Sequence, residues 1–310
     1  MSAKTFGSAY VLISAARNEE THIEKTILSV LRQTRPPLKW VIVSDGSTDG
    51  TDRTVLGYAA KSRLIEFVRR ENTEGLRGFA SKVAAIEMGY QRLRDMEYDF
   101  VGNLDADLSF DTVYFEHLMA EFEKNPRLGI GGGTIYERSR DEFRSRPSNT
   151  VRSVAGGIQF FRRECYEEIG GLRPFDIGGE DWCAEIMARM AGWEVRAFPD
   201  LPVKHHKRSA DARGALRENF RQGMVDRSLG TCPTFELAKC FRRLREAPFL
   251  IGPGCRMIGY VWSAFMRRES KASDEVRAYL RREQADRLRH LIVKYILFWR
   301  CFGGSAFTDF

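Results

Sequence analysis

The stretch 98-YDFVGNLDADLS-109 determines how the rest of the chain is interpreted. Its apolar run, Phe100–Leu104, is typical of a buried strand, and it leads directly into two carboxylates, Asp105 and Asp107. Because residues i and i+2 of an extended chain point to the same side, both carboxylates can face one object. Ligands of open α/β sheets bind at the carboxyl ends of the strands. The pattern therefore predicts a ligand site at this end of the strand.

The spacing of Asp105 and Asp107 also indicates what the ligand contains. Two carboxylates this close repel one another unless a cation neutralises them. A hard divalent ion that holds the phosphates of a nucleotide meets that requirement. Two such acids on their own are more often part of a solvated loop, so the neighbouring motifs must decide between these interpretations.

Strands and helices alternate in the first part of the chain. Strands are predicted at residues 10–16, 39–44, 64–68 and 100–104, with a helical pattern after each of the first three. This alternation implies an α/β fold with a parallel sheet and right-handed crossovers. Polar residues follow the strands, first Asn18 and Glu19, then Asp45, then Asp105 and Asp107. Because parallel strands end at one edge of a sheet, we expect these side chains to converge.

Composition, net charge and cysteine spacing limit the classes of protein to which this chain can belong. Of the 310 residues, 43% are hydrophobic and 29% charged, as in ordinary globular proteins. The net charge of +7 suits an anionic partner such as phosphates, nucleic acid or an acidic membrane surface. The six cysteines form no Cys-X-X-Cys pair, which argues against a zinc site and favours a reducing, cytoplasmic setting. Because no basic segment precedes an apolar core at the N-terminus, we expect no signal peptide.

Two further motifs lie in the second half of the chain. The acidic pair Glu180–Asp181 opens a predicted helix, although acids at a helix start are also favoured by the helix dipole alone. The pair His205–His206 follows a strand predicted at 194–198, although adjacent histidines are more often surface residues. Gly156–Gly157 indicates backbone brought close to a ligand. Residues 137–150 are expected to form an exposed loop.

Taken in order, six motifs resemble those of family 2 glycosyltransferases with the GT-A fold. They are 16-ARNEE-20, 44-SDGSTD-49, 105-DAD-107, 157-GIQFFRR-163, 179-GEDW-182 and 205-HH-206. The resemblance implies a mainly parallel nucleotide-binding sheet flanked by helices. It also implies a catalytic domain over 1–208, with a nucleotide-sugar half at 8–110 and an acceptor half at 111–208. A helical, basic extension would occupy 209–310.

The resemblance further implies inverting transfer of a sugar from a nucleotide diphosphate sugar, preferably a UDP-sugar, to a glycan or lipid-linked acceptor. The donor-binding residues would be Asn18, Glu19, Asp45, Ser47, Arg77, Lys82, Asp105 and Ala106. Asp181 matches the catalytic base, with Glu180 beside it. Asp107 matches the direct ligand of Mg²⁺ or Mn²⁺, with Asp105 nearby. One of His205 and His206, preferably His205, would complete the metal or diphosphate site.

The chemistry of such a transfer requires residues of these types. Departure of a nucleoside diphosphate builds negative charge on its phosphates, which a divalent ion stabilises as a Lewis acid. Arg77 or Lys82 would add fixed positive charge. The acceptor hydroxyl is a poor nucleophile, so a carboxylate must take its proton.

The chain beyond about residue 208 is basic and mainly helical. A helix is predicted at 224–244, and Ser273 is placed to cap a second one. The apolar segment 247–266 contains Arg256, prolines and glycines, so it is a poor membrane-spanning helix. It suits a buried hairpin or an interfacial element. Packing on the catalytic domain, a dimer contact and peripheral docking to an anionic membrane remain open for this region.

Two other classes of protein are less consistent with the sequence. A nucleotidyltransferase would be expected to carry a glycine-rich, basic loop after its first strand, and none is present. A Gly-X-Gly-X-X-Gly motif and a P-loop are absent as well. A basic binding protein without enzymatic activity, for instance for nucleic acid, would leave the ordered acidic motifs without a role. We therefore expect no nucleic-acid partner.

Overall fold

The computed structural model describes residues 8–71, 75–76, 78–139, 142–145, 149–208, 212–244, 246, 249–266 and 272–302. The chain forms two compact units, Met1–Ala210 and Asp211–Phe310. Arg77, one of the predicted donor-binding residues, lies outside the described residues.

The first unit begins with the predicted alternation of strands and helices. Its elements are β1 (Tyr10–Ala16), α1 (Ile23–Leu31), β2 (Lys39–Asp45), α2 (Thr51–Ala59), β3 (Ile65–Arg70), α3 (Gly78–Leu93) and β4 (Phe100–Asn103). Strands β1, β2 and β4 are almost completely buried. Burial on both faces explains why their sequences are continuous apolar runs rather than alternating patterns.

The remainder of this unit contains five strands of 3 to 15 residues and three helices. The elements are β5 (Leu108–Phe110), α4 (Tyr114–Lys124), β6 (Leu128–Ser139), β7 (Glu142–Ser145), a 3₁₀ turn (Gly156–Ile158), β8 (Phe160–Arg162), α5 (Arg163–Glu168), α6 (Glu180–Met190) and β9 (Glu194–Arg208). All these strands join one sheet in the order β3-β2-β1-β4-β8-β6-β9-β5, and β7 pairs with β6.

The arrangement of the strands determines where the polar side chains meet. Strands β3, β2, β1 and β4 are parallel, and β8 then pairs antiparallel with β4. The carboxyl ends of β1, β2 and β4 therefore lie along one edge of the sheet, as the sequence predicts. Asp45 is the last residue of β2 at this edge, and the loops that carry Glu19 and Asp105 begin there.

An aromatic cluster holds β4 in position behind that edge. Phe100, Phe160, Phe115, Phe122 and Tyr10 pack with ring centroids 4.7 to 5.6 Å apart. The cluster is buried, so large-to-small substitutions there would be expected to cost about 3–5 kcal/mol.

Two segments predicted to lack strand structure belong to the sheet. Residues 137–150 were expected to be an exposed loop, but β6 continues into this segment and forms a hairpin with β7. The strand predicted at 194–198 continues as β9, so His205 and His206 lie within a strand rather than after it. The register between β6 and β9 shifts after Gly133–Phe198 and resumes at Thr134–Pro202. The strand therefore continues past its predicted end through a bulge that contains Pro199 and ends at Pro202.

The second unit consists of four helices in its described residues: α7 (Ala212–Ser228), α8 (Pro233–Arg242), α9 (Ile251–Phe265) and α10 (Asp274–Phe302). The single helix predicted at 224–244 is wrong, because the chain turns at Gly230, whose φ is 86°, and restarts with a proline at the first helical position. The apolar segment 247–266 is mostly one helix, not a hairpin. Ser273 caps α10 as predicted, since its hydroxyl accepts the Val276 amide at 3.3 Å.

A buried ionic cluster joins three of these helices. Arg256 of α9 forms an ion pair with Glu236 of α8 at 2.9 Å and another with Asp226 of α7. Lys239 contacts Asp226 at 2.7 Å. Removing one member would leave the cluster with an uncompensated buried charge, a change that costs roughly 3–5 kcal/mol. Within the part of the chain that the structure describes, no helix has both the length and the apolar character needed to traverse a bilayer.

Candidate active site

The loops after β1 and β2 are joined by Asn18. This residue adopts a left-handed backbone conformation with φ of 54°, which asparagine tolerates better than most residues. Its side-chain oxygen accepts the Thr48 amide at 2.8 Å, and its own amide donates to the Ser47 hydroxyl at 3.2 Å. Asn18 and Ser47, both predicted to bind the donor, thus link two loops. Neither of them lines the cavity that opens beside these loops.

A cavity of about 260 Å³ opens at the carboxyl edge of the sheet. Six of the residues predicted to bind donor or metal line it: Glu19, Asp45, Lys82, Asp105, Ala106 and Asp107. Arg17, Gly78 and Lys207 also contribute to its wall. The cavity therefore combines carboxylates with cationic side chains drawn from four strands or their loops and from one helix.

Asp45 lies buried at one side of this cavity. One carboxylate oxygen accepts a hydrogen bond from the Arg70 guanidinium and the other accepts from the Ser81 hydroxyl. An ionised carboxylate offers only acceptors, so these two partners fix its orientation while leaving lone pairs available. The sequence interpretation missed Arg70. Arg70 could have been identified from strand pairing, because it lies opposite Asp45 at the ends of β3 and β2.

Lys82 brings a positive charge into the acidic part of the cavity. Its ammonium lies 2.6 Å from the Asp105 carboxylate. Burial alone would lower the pKa of Lys82, but the charges of Asp105 and of the Glu180–Asp181 pair raise this pKa above its ordinary value. Lys82 is therefore positively charged at neutral pH.

The pairing of β5 with β9 places a histidine beside Asp107. His205 pairs with Leu108, and its Nε2 lies 3.0 Å from Asp107 Oδ2. Burial raises the pKa of Asp107, whereas the hydrogen bond and charge of His205 lower it, with a net result below the ordinary value. His206 instead contacts the Ser109 hydroxyl at 2.7 Å. Of the two histidines, His205 is the one in contact with the predicted metal ligand.

These side chains provide a donor set suited to a divalent ion. Asp107 contributes carboxylate oxygen, which suits Mg²⁺ and Mn²⁺, and His205 contributes imidazole nitrogen, a common ligand of transition-metal ions. Asp105 lies in the same cavity and is engaged by Lys82. Among the residues described, no three or more His, Cys, Asp or Glu side chains form a complete metal site. Ions that serve nucleotides commonly take one or two carboxylates and complete their coordination with phosphates, so the available donors fit that type of site.

Lys207 is a second cavity residue that the sequence interpretation missed. Its ammonium contacts the Glu19 carboxylate at 2.7 Å. Burial raises the pKa of Glu19, and the contact with Lys207 opposes that rise. Lys207 lies two residues after His205 in β9, so both side chains point to the same face. This spacing would have identified Lys207 once the histidines were placed in a strand.

A glycine turn connects the two ends of the site. The Gly156 amide donates to Asp181 Oδ2 at 3.1 Å, and the Asp105 amide donates to the Gly157 carbonyl at 2.8 Å. A Cβ atom at Gly156 would lie 2.7 Å from Asp181 Oδ2, and one at Gly157 would lie 2.2 Å from Asp105 Oδ2. Close approach of backbone to two carboxylates is thus the reason for glycine at both positions.

Gly157→Ala is expected to displace Asp105 and to weaken metal-dependent nucleotide binding by roughly tenfold or more, because the added methyl group overlaps the carboxylate. Calorimetric titration with nucleoside diphosphates in the presence of Mn²⁺ measures this effect. Gly57→Ala is the matched control, since a Cβ there meets nothing within 4 Å. Wild-type affinity in Gly157→Ala would contradict the proposed role of the turn.

Glu180 differs from its neighbour Asp181 in its environment. It is 5% exposed, and its Oε2 has no hydrogen-bond partner among the described residues. Burial, and after it the charge of Asp181, raises the pKa of Glu180 to about 7, although Lys82 opposes the rise. Asp181 is half-buried, and its oxygens accept hydrogen bonds from the amides of Gly156 and Trp182. The pair therefore combines an oriented carboxylate with one that is partly protonated near neutral pH.

The sheet and its acidic edge are those of a GT-A glycosyltransferase. Residues 11–184 match the sequence profile of the family described as Glycosyl transferase family 2. The chain belongs to this family, which confirms the resemblance seen in its motifs and the expected enzyme class, glycosyltransferase.

The curated relatives agree with this assignment to the family. Over 213 residues the chain is 24% identical to poly-beta-1,6-N-acetyl-D-glucosamine synthase of Staphylococcus epidermidis, covering 63% of this chain and 47% of that protein. The chain thus spans about half the length of the curated relatives it matches.

Two solved structures share the fold. A mannosyltransferase, PcManGT from Pyrobaculum calidifontis in complex with GDP-Man and Mn²⁺, has a TM-score of 0.55 and 19% identity, covering 89% of this chain and 79% of its own. GalNAc-T7 with UDP, GalNAc and Mn²⁺ has a TM-score of 0.53 and 16% identity, covering 82% and 54%. These similarities confirm the expected fold class.

Proposed function

We propose that this chain transfers a sugar from a nucleoside diphosphate sugar, preferably a UDP-sugar, to a glycan or lipid-linked acceptor with inversion, and that it requires a divalent metal. The observation that carries the proposal is the convergence of Asp45, Lys82, Asp105 and Asp107 on one cavity. The glycine turn links Asp181 to the same edge. The GDP-Man, UDP and Mn²⁺ of the two solved structures support the donor class and the metal.

Asp45 is proposed to bind the nucleobase. Its buried carboxylate accepts hydrogen bonds only, so it suits a base that presents a ring N–H. Arg70 and Ser81 hold it in place from behind. Glu19, held by Lys207, lines the same cavity and is proposed to contact the nucleoside part of the donor.

Asp107 and His205, with Asp105 beside them, are proposed to hold Mg²⁺ or Mn²⁺. When bound, the ion supplies Lewis-acid stabilisation of the negative charge on the leaving diphosphate. Lys82 adds a positive charge that does not depend on the ion, because its pKa lies above the ordinary value. Preorganised charge of this kind acts without further rearrangement during the reaction.

Asp181 is proposed as the general base. Its carboxylate accepts the proton of the acceptor hydroxyl while the hydroxyl oxygen bonds to the anomeric carbon of the donor. The bond from that carbon to the diphosphate oxygen breaks at the same time, with its electron pair leaving on the diphosphate. Attack opposite to the leaving group inverts the anomeric centre. The amides of Gly156 and Trp182 orient Asp181 for this step.

A panel of UDP-, GDP- and dTDP-sugars tests the proposal. Nucleoside diphosphate release is measured with Mn²⁺, with Mg²⁺ and after EDTA. We expect release from one donor class, dependent on the metal. Release of pyrophosphate from nucleoside triphosphates, or no release together with no nucleotide binding, would contradict the proposal.

A further inference from the structure

Helix α9 presents its apolar residues to the outside. Its buried positions are Gly252, Pro253, Arg256, Gly259, Tyr260 and Ser263. Its exposed side chains include Ile251, Ile258, Val261, Trp262 and Phe265, which are 46% to 76% exposed. A surface helix of a globular protein normally has the opposite arrangement, with its apolar stripe toward the core.

The exposed apolar residues lie along one face of the helix. Ile251, Ile258 and Phe265 are spaced by seven residues, and Trp262 lies four residues from Ile258. Such spacings place side chains on one face of a helix. Exposed apolar surface of this extent, unlike single exposed residues, marks an interaction surface. We call these five residues the α9 stripe.

Packing within the unit fixes α9 in this orientation. A Cβ at Gly259 would lie 2.0 Å from the Phe220 carbonyl, and one at Gly223 would lie 1.9 Å from the Arg256 carbonyl. Arg256 is buried by its ion pairs with Asp226 and Glu236. Rotating the helix to hide the α9 stripe would break both the close backbone contact and the ionic cluster.

Charge identifies the kind of partner that covers the stripe. Residues 211–310 contain 19 Lys/Arg and 11 Asp/Glu, a net charge of +8, whereas residues 1–210 carry −1. Basic residues also flank α9 in the sequence on both sides: Arg242, Arg243 and Arg245 precede it, and Arg267, Arg268 and Lys271 follow it. A second copy of this unit would bring like charges together. An anionic lipid surface provides both an apolar interior and opposite charge.

We propose that the α9 stripe docks this chain onto an anionic lipid membrane with the helix axis parallel to the surface. The 15 residues of α9 extend about 22 Å, which is less than the roughly 30 Å of a bilayer's hydrocarbon core. Trp262 suits the headgroup boundary, where its ring is apolar and its N–H meets polar groups. The net positive charge of residues 211–310 would add electrostatic attraction to the lipid phosphates.

Vesicle sedimentation with the full chain tests this docking. The probes are vesicles of phosphatidylcholine alone and vesicles containing phosphatidylglycerol. We expect binding to the anionic vesicles that weakens as salt concentration rises. The double variant Ile258→Ser/Phe265→Ser is expected to lose about tenfold or more in partitioning, because two large apolar groups no longer enter the lipid. Leu56→Ser, at an exposed apolar residue of α2, is the matched control.

A second measurement distinguishes insertion from simple charge attraction. Lipids brominated in their acyl chains are expected to quench tryptophan fluorescence of the bound protein, and Trp262→Phe is expected to bind equally while losing that quenching. Both serine substitutions are at exposed sites, so the thermal unfolding temperature is expected to stay unchanged.

Three outcomes would overturn the proposal. The first is equal binding to neutral and anionic vesicles, and the second is unchanged binding of the double variant. The third is a dimer that the double variant dissociates, without vesicle binding by the wild type. The assay contains no donor or acceptor, so its result is independent of the proposed function.

Discussion

Asp107→Ala is expected to reduce sugar transfer by roughly 10³-fold or more and to remove the metal dependence of nucleotide binding. The substitution takes away the carboxylate that contacts His205 and that lies ionised in the cavity. Without it, a divalent ion would retain few protein donors, and the leaving diphosphate would lose several kcal/mol of stabilisation. Initial rates of nucleotide release and calorimetric titration with and without Mn²⁺ measure the two effects.

The control for this substitution is Asp95→Ala, which removes a 96% exposed carboxylate of the same unit. It is expected to leave both measurements unchanged. Asp107→Ala also leaves His205 without this contact, so thermal denaturation is followed in parallel. Full turnover by a folded Asp107→Ala protein, with nucleotide binding still dependent on Mn²⁺, would remove Asp107 from the metal site.

Asp181→Asn is expected to lower the rate of transfer by about 10²–10⁴-fold while nucleotide binding stays as in the wild type. Asparagine has the same shape and can still accept the Gly156 amide, so the substitution removes mainly the capacity to take a proton. Rates at saturating donor and acceptor, together with the dissociation constant of the nucleoside diphosphate, separate these two contributions.

Glu180→Gln is the companion variant. It removes the neighbouring ionisable group, whose pKa burial raises to about 7, but leaves Asp181 in place. A smaller loss of rate is expected, because Asp181 remains able to accept the proton. If Glu180→Gln were inactive and Asp181→Asn retained wild-type turnover, Glu180 would be the base. Equal loss of nucleotide affinity and rate in Asp181→Asn would instead assign Asp181 to donor binding.

The first strands could be predicted from the sequence because a strand that is buried on both faces consists of a continuous run of apolar residues. Strands β1 and β2 are continuous apolar runs bounded by polar loops, and their predicted limits lie within a residue of those observed. Strand β9 could not be predicted in full. Its length depends on pairing with β6 and β5, and its prolines and bulge resemble a strand end when pairing partners are unknown.

The same distinction applies to the site. Asp45, Asp105 and Asp107 converge as predicted, because parallel strands bring their carboxyl ends to one edge. Arg70 and Lys207 were not predicted. The position of Arg70 follows from the pairing of β3 with β2, and that of Lys207 follows from the extension of β9. Asn18 and Ser47 follow the strands that carry the site, as predicted. Their polar atoms, however, form hydrogen bonds between the loops after β1 and β2. Sequence motifs locate a group of residues more readily than they locate its hydrogen-bond partners.

The exposure of the α9 stripe likewise could not be predicted from the sequence pattern. A hydrophobic face on a helix is usually the buried one. Here the opposite face is buried because Arg256 has two acidic partners on neighbouring helices and Gly259 permits close backbone contact. Those partners lie 20 and 30 residues away in the sequence, so the sequence left both a buried hairpin and an interfacial element open for this segment.

The most direct test of the central claim is the binding of Mn²⁺ to the wild-type protein, followed by electron paramagnetic resonance of the free ion, with and without UDP, GDP or dTDP. Asp107 and His205 provide too few ligands for tight binding alone, so phosphates should complete the coordination. We predict that one of these nucleotides tightens Mn²⁺ binding about tenfold or more, and that Mn²⁺ tightens binding of that nucleotide by the same factor. Mn²⁺ binding that none of the three nucleotides changes would contradict the assignment of this edge as a metal-dependent donor site.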